Sequence, residues 1–331
     1  MSTMLNKHFD QPVIGLGCMN LSHAYGTPLS EDEAVRALHE AFDMGYRHFD
    51  TATLYGGGKN EAVVGRAIKD YRQSLFLASK CGMAIGRDSG VKEIDGRPET
   101  LRAQCEESLG RLNTDHIDLY YLHRLDPKVP VEESVDALAD LVQEGKIGAI
   151  GLSEVSADTL RRAQAVHPIA AVQTEYSLWS RNAEIAVLDA CRTSGTRFVA
   201  FSPLARGFLT NGLRDVDNLV DKDIRNNMPR FHKDNYRKNL ALLDDYVAIA
   251  EEAGCTPAQL ALAWIRSKGD FIVPIPGTRS VDHMKENLAA GSVRLSDDIV
   301  NRLDALINQD TVAGPRYSAK QQTEIDTEEF A

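Results

Sequence analysis

The chain has 331 residues, 43% of them hydrophobic and 26% charged, the balance of a globular protein in water. Thirty-seven Lys and Arg against 48 Asp and Glu leave a net charge of −11 without a basic stripe, which argues against a nucleic-acid surface. No run approaches the roughly 18–20 apolar residues of a membrane span, and MSTMLNKHFD lacks the apolar core of a secretory signal.

Five cysteines (Cys18, Cys81, Cys105, Cys191, Cys255) are odd in number and form no CxxC pair, so a cytoplasmic protein with reduced thiols is expected. A short N-terminal segment runs to GLG at 15–17, which continues as Cys18-Met19-Asn20. It lacks the third glycine of a dinucleotide fingerprint and opens no helix. Ser30 then precedes EDEAVRALHEAFDMG, with Glu33 placed for a capping box and Gly45 at the end. A strand at 47–51 closes on Asp50, and the loop TATLYGGG carries Tyr55; GGGK lacks the Ser/Thr and spacing of a P-loop. The strand at 75–80 closes on Lys80. Pro98 opens PETLRAQCEESLGRL, with Gly110 near its end, and the strand at 117–123 closes on His123.

After Gly145 a strand spans 147–153, and Ser156 starts ADTLRRAQAV. Strands follow at 170–175, at 197–203 after Gly195, and at 271–276, with a weak eighth near 291–294. A polar stretch from 208 to 236, ahead of a helix near Lys238, is too long for an ordinary connection and reads as a lid. The tail, 308–331, has no apolar period and reads as irregular. Strict alternation of strand and helix implies a parallel sheet, and about eight strands imply closure. The expected fold is an α/β (β/α)8 TIM barrel, residues 1–331 forming one domain, with the N-terminal segment capping the barrel.

Three successive strands thus end in ionisable side chains at one mouth, where such barrels place their chemistry. Asp50, Tyr55, Lys80 and His123 suit proton transfer to a carbonyl oxygen. A phenol near pKa ~10 is a poor acid until a cation favours its phenolate, and Lys80, held by Asp50, can be that cation. His123, as neutral imidazole, can orient the carbonyl. Taken singly, Asp50–Lys80 could be a rim ion pair and His123 a core histidine. His48 and Asp50 share a strand face, but no later strand end offers a second His/Asp cluster, so no metal is expected.

The quartet resembles the catalytic tetrad of the aldo-keto reductases, in particular their bacterial, plant and fungal NADPH-dependent branch. DTATLYG, SK, LHR, GLS, VQTEYSLWSR, FVAFSPLARGFL and IPGTRSVDHMKENL carry the likeness in order along nearly the whole chain. The resemblance implies reduction of aldehydes or ketones by NADPH, with Tyr55 as general acid and a small-molecule carbonyl as the partner. It implies that Ser153 and Gln173 hold the nicotinamide carboxamide and that Phe201 stacks on the ring. Ser202, Leu204, Arg206 and Gly207 would line the pyrophosphate through backbone amides and one guanidinium. Gly277, Thr278 and Arg279 would favour a phosphate at a helix start, Arg279 the 2′-phosphate, and Glu286 and Asn287 would face the adenine; His283 stands where many members place an arginine on that phosphate, and Gly277 where some have lysine. Glu154 stands where many members have Asn. Met19, Tyr25, Leu54 and Met83 could line an apolar substrate pocket. A rival reading is a coenzyme-binding regulatory subunit of the channel-associated type, which shares fold and tetrad.

Overall fold

A computed structural model describes residues 14–86 and 89–330; most of the expected N-terminal cap lies outside them. Eight parallel strands form one sheet in the order β1 (Leu16–Gly17), β2 (His48–Asp50), β3 (Phe76–Cys81), β6 (Leu119–Leu122), β7 (Ile150–Ser153), β8 (Ile169–Glu175), β9 (Arg197–Phe201) and β10 (Ile272–Ile275). Gly17 bridges Gly277 in parallel, and the amides of Gly15 and Gly17 donate to Pro274 O and Pro276 O, so first and last strands meet. The sheet is a (β/α)8 barrel. Its eighth strand is therefore Leu16–Gly17, not 291–294, where Ala290–Ser292 forms a 3-10 turn. A two-residue strand is too short to show a period of two, which hid it in the sequence.

Helices alternate with strands because their start signals are strong. Ser30 and Glu33 form the reciprocal capping box, and Ser156 accepts from Thr159 N. Gly45 and Gly195 end their helices in the left-handed conformation, whereas Gly110 lies inside Pro98–Leu112, which Asn113 caps instead at φ 50°. Gly65 is required by packing: a Cβ there would stand 2.5 Å from the Leu112 backbone. Inside the barrel, Phe76, Leu119, Tyr121, Val199 and Val273 form a small core separate from the strand–helix core outside. Tyr121 lies over Gly151, where a Cβ would come within 2.3 Å of its ring.

Three insertions surround the mouth. After β3 the chain makes an antiparallel hairpin, β4 (Met83–Ile85) with β5 (Lys92–Ile94). After β9 the expected lid is built of 3-10 turns at Ala205–Thr210, Ile224–Asn227 and Pro229–Phe231, and the next helix starts at Lys233 rather than near Lys238. The tail carries one short capped helix, Ala319–Gln322, and is otherwise without regular structure. Among the described residues no helix is long and apolar enough to cross a membrane.

Candidate active site

Several strands of the barrel end at the mouth, β2 with Asp50, β7 with Ser153 and β9 with Phe201, and His123 follows the end of β6. Lys80 is fully buried near the end of β3 and donates to Asp50 Oδ1, to Thr51 O at 2.8 Å and to the Tyr55 hydroxyl at 3.2 Å. Asp50 Oδ2 accepts from Gln173 Nε2 at 2.7 Å, so the carboxylate is held on both oxygens. The Tyr55 and His123 rings stand edge to face, centroids 5.9 Å apart. Four residues that the sequence scatters over 74 positions are one contact group.

The electrostatics correct one expectation. Burial works hardest against the Lys80 charge, but the Asp50 carboxylate and the Tyr55 oxygen outweigh it and hold the ammonium above its ordinary pKa. For Tyr55 burial wins: it lifts the phenol despite the opposing pull of Lys80. In the free protein the pull of Lys80 is outweighed, and the group stays protonated. Burial, helped by Arg124, Lys80 and Lys92, pushes His123 well below the usual histidine range, so it is neutral imidazole. Its Nδ1 is buried without a partner.

These residues open into a cavity of about 740 Å³. Asp50, Tyr55 and His123 line it, and Lys80 lies beneath. Every residue expected at coenzyme or substrate lines this same space. At one wall the backbone after β9 is strained: Ser202, Ala205, Arg206 and Gly207 all have positive φ, at 49°, 50°, 57° and 98°. Ala205 N and Gly207 N close turns onto Ser202 O and Leu204 O, so the loop suits an anion through the backbone amides that these turns leave free. Opposite, the helix Val281–Ala289 points its N-terminus at the cavity, with Ser280 capping His283 N. Asn287 on that helix is buried, and its Oδ1 has no partner. The cavity therefore offers what a nicotinamide dinucleotide needs: volume, an anion cradle, and an unsatisfied acceptor on the neighbouring helix.

Several expected contacts are already engaged. One N–H of the Gln173 amide is taken by Asp50, leaving its second N–H and its oxygen. The Arg206 guanidinium turns away from the cradle: it is buried against Glu175 at 2.6 Å and donates to the Tyr25 hydroxyl at 3.0 Å, so only its backbone remains for a phosphate. Arg279 is exposed and donates to Thr27 O.

Glu154 is buried in the left-handed conformation, at φ 57°. Its Oε1 accepts from Glu175 N at 2.8 Å and from Arg316 Nη2 at 2.5 Å. Arg316 comes from the tail, and Tyr317, Gln321, Glu324 and Ile325 of the same segment line the cavity. Sequence reasoning missed them because a segment without periodicity shows no burial. The one available signal was Glu154 itself, a carboxylate that burial obliges to find a cation.

Comparisons with known proteins agree with this geometry. The sequence profile of the "Aldo/keto reductase family" matches residues 13–308. A soybean (Glycine max) protein described as probable aldo-keto reductase 1 is 42% identical over 310 residues, 93% of this chain and 89% of its own. The fold is similar to a glycerol dehydrogenase from Gluconobacter oxydans, with a TM-score of 0.81 and 30% identity over 91% of this chain and 93% of that one. It is also similar to an aldo/keto reductase from Klebsiella pneumoniae solved with NADP and acetate, with a TM-score of 0.70 and 29% identity over 96% and 95% of the two chains.

Proposed function

Because the chain belongs to the aldo/keto reductase family, and is thereby an NAD(P)H-dependent oxidoreductase acting on carbonyl compounds, we propose that it reduces aldehydes or ketones with NADPH and that Tyr55 gives the proton. The observation that carries this reading is the Tyr55 hydroxyl, 3.2 Å from a buried, charged Lys80 and beside a neutral His123.

When bound, the coenzyme supplies the hydride. The residues do the rest. Neutral His123 donates its one N–H to the carbonyl oxygen and sets the substrate beside Tyr55. Tyr55, loaded with its proton by burial, hands that proton to the oxygen as charge develops there. Lys80 then faces the phenolate left behind, and Asp50 keeps the ammonium charged and in place. Donors fixed before the reaction pay no reorganisation when the oxyanion forms, which is usually the largest catalytic contribution. The cradle at 202–207 and the start of the helix Val281–Ala289 hold phosphates, and Arg279 favours the 2′-phosphate of NADPH. Met19, Tyr25, Leu54 and Met83 bound the substrate end.

Support for NADPH comes from a relative solved with NADP and from an exposed guanidinium beside a helix start. The test is turnover of aldehydes and ketones with NADPH and NADH, in the wild type and in Tyr55→Phe. Loss of only the general acid predicts a rate lower by about 10²–10⁴-fold with coenzyme affinity kept. A variant with half the wild-type rate removes Tyr55 from the chemistry. A protein that binds NADPH but reduces no carbonyl is a coenzyme-binding subunit instead.

A further inference from the structure

Five cations line the cavity, and their partners differ in kind. Arg206 is paired with Glu175, Arg225 with Asp223 at 2.7 Å, and Lys92 with Glu324. Arg279, exposed at the helix start, holds a backbone carbonyl where a coenzyme phosphate is proposed. Arg124 is the remaining one. It follows His123 directly, is half-buried, and lies between the ends of β6 and β7. Its Nη1 donates to His123 O at 2.6 Å and to Ser153 Oγ at 3.2 Å, both neutral acceptors. Its Nε is buried without any acceptor, and among the described residues no carboxylate pairs with it.

A guanidinium in a cavity of a protein with net charge −11, left without a counter-charge, is a site awaiting an anion. Its place identifies which anion. The phosphate cradle at 202–207 and the start of the helix Val281–Ala289 lie after β9 and β10, whereas Arg124 shares the strand end of His123. It is close enough to Tyr55 and His123 for its charge to act on both. The anion therefore belongs to the molecule whose carbonyl faces Tyr55 and His123.

Resting on the carbonyl-reduction reading above, we propose that Arg124 is a substrate-anchoring residue and that the preferred substrates are aldehydes or ketones bearing a carboxylate. Carboxylate and guanidinium match as planar groups able to form paired hydrogen bonds. The anchor selects anionic carbonyl compounds over neutral ones and holds the carbonyl in register with the proton donor. Its placement beside His123 also means that anchoring and orientation are achieved by neighbouring residues on one strand end.

The experiment compares kcat/KM for 2- and 4-carboxybenzaldehyde with their neutral methyl esters, NADPH being held saturating. In the wild type at least one acid should exceed its ester by roughly 10- to 150-fold, the range for a hydrogen bond to a charged group. In Arg124→Met the acid-to-ester ratio should fall to about one, and in Arg124→Lys it should stay above one. The ratio is read within each variant, so a general loss of activity cancels. Equal turnover of acid and ester by the wild type, or a ratio that survives Arg124→Met, overturns the anchor while carbonyl reduction stands. Equal loss of acid and ester in Arg124→Met, together with weaker NADPH binding, moves Arg124 to the coenzyme and also overturns it. If no acid, ester or other carbonyl is reduced, both readings fall together.

Discussion

Lys80→Met separates the two roles a lysine could have beside a phenol. With the ammonium gone, the phenolate loses its counter-charge and the Tyr55 pKa rises further. Alcohol oxidation needs that phenolate, so its ionisation step should move to higher pH in the variant; an unmoved profile with retained activity makes Lys80 structural. In the reduction direction the phenol is already protonated and His123 already neutral. The wild-type rate should therefore show no step near pH 6.5, the ordinary histidine value. A step there that vanishes in His123→Gln would show a charged imidazole. At this scale the sequence was informative because strand ends are visible in it. What it could not show was the balance of burial against charge, which made the Tyr55 shift opposite to the one Lys80 alone would give.

The tail and the lid are tied to the barrel by charges buried beneath the cavity. Glu175 receives Arg206 and Arg316, and Glu154 receives Arg316; Arg230 adds bonds to Trp179 O and Ser180 Oγ nearby. Burial opposes the Glu175 charge, yet the three arginines hold it down to about pKa 2, below its ordinary 4.5. A depressed folded-state pKa stabilises above the unfolded value and loses that contribution as pH falls through the folded one. Glu175→Gln should thus destabilise by about 3–5 kcal/mol at pH 7, because it leaves buried arginines uncompensated. The gap between variant and wild type should narrow between pH 4.5 and 2, read as the difference in thermal midpoints. A gap that persists unchanged at low pH would place the effect in packing. None of this network follows from periodicity: its members lie in loops and strand ends far apart in sequence, and only Glu154, set in an otherwise familiar GLSE, hinted at a missing cation.

For the molecule as a whole, coenzyme binding is also a stability measurement. A ligand at 100 times its dissociation constant adds about 2.7 kcal/mol, so saturating NADPH should raise the thermal midpoint by several degrees. NADH at the same concentration should raise it less. Arg279→Ala should erase most of that difference by lowering NADPH affinity roughly 10- to 150-fold. Equal losses for both coenzymes would assign Arg279 to the clasp it makes with Thr27. Seven of the eight barrel strands and their alternation with helices were legible in the sequence, whereas the short hairpin strands β4 and β5 were not. The exception in the barrel is the two-residue β1, which is recognisable only once its partners are known. That strand has a temporal consequence. The ring is completed by contacts such as Asn20 with Gly277, 257 positions apart, so the first strand emerges from the ribosome long before its second neighbour exists. A chain released before Ile272 would lack β10 and leave β1 and β9 flanking an open seam, and truncations upstream of that point should aggregate rather than persist as smaller barrels.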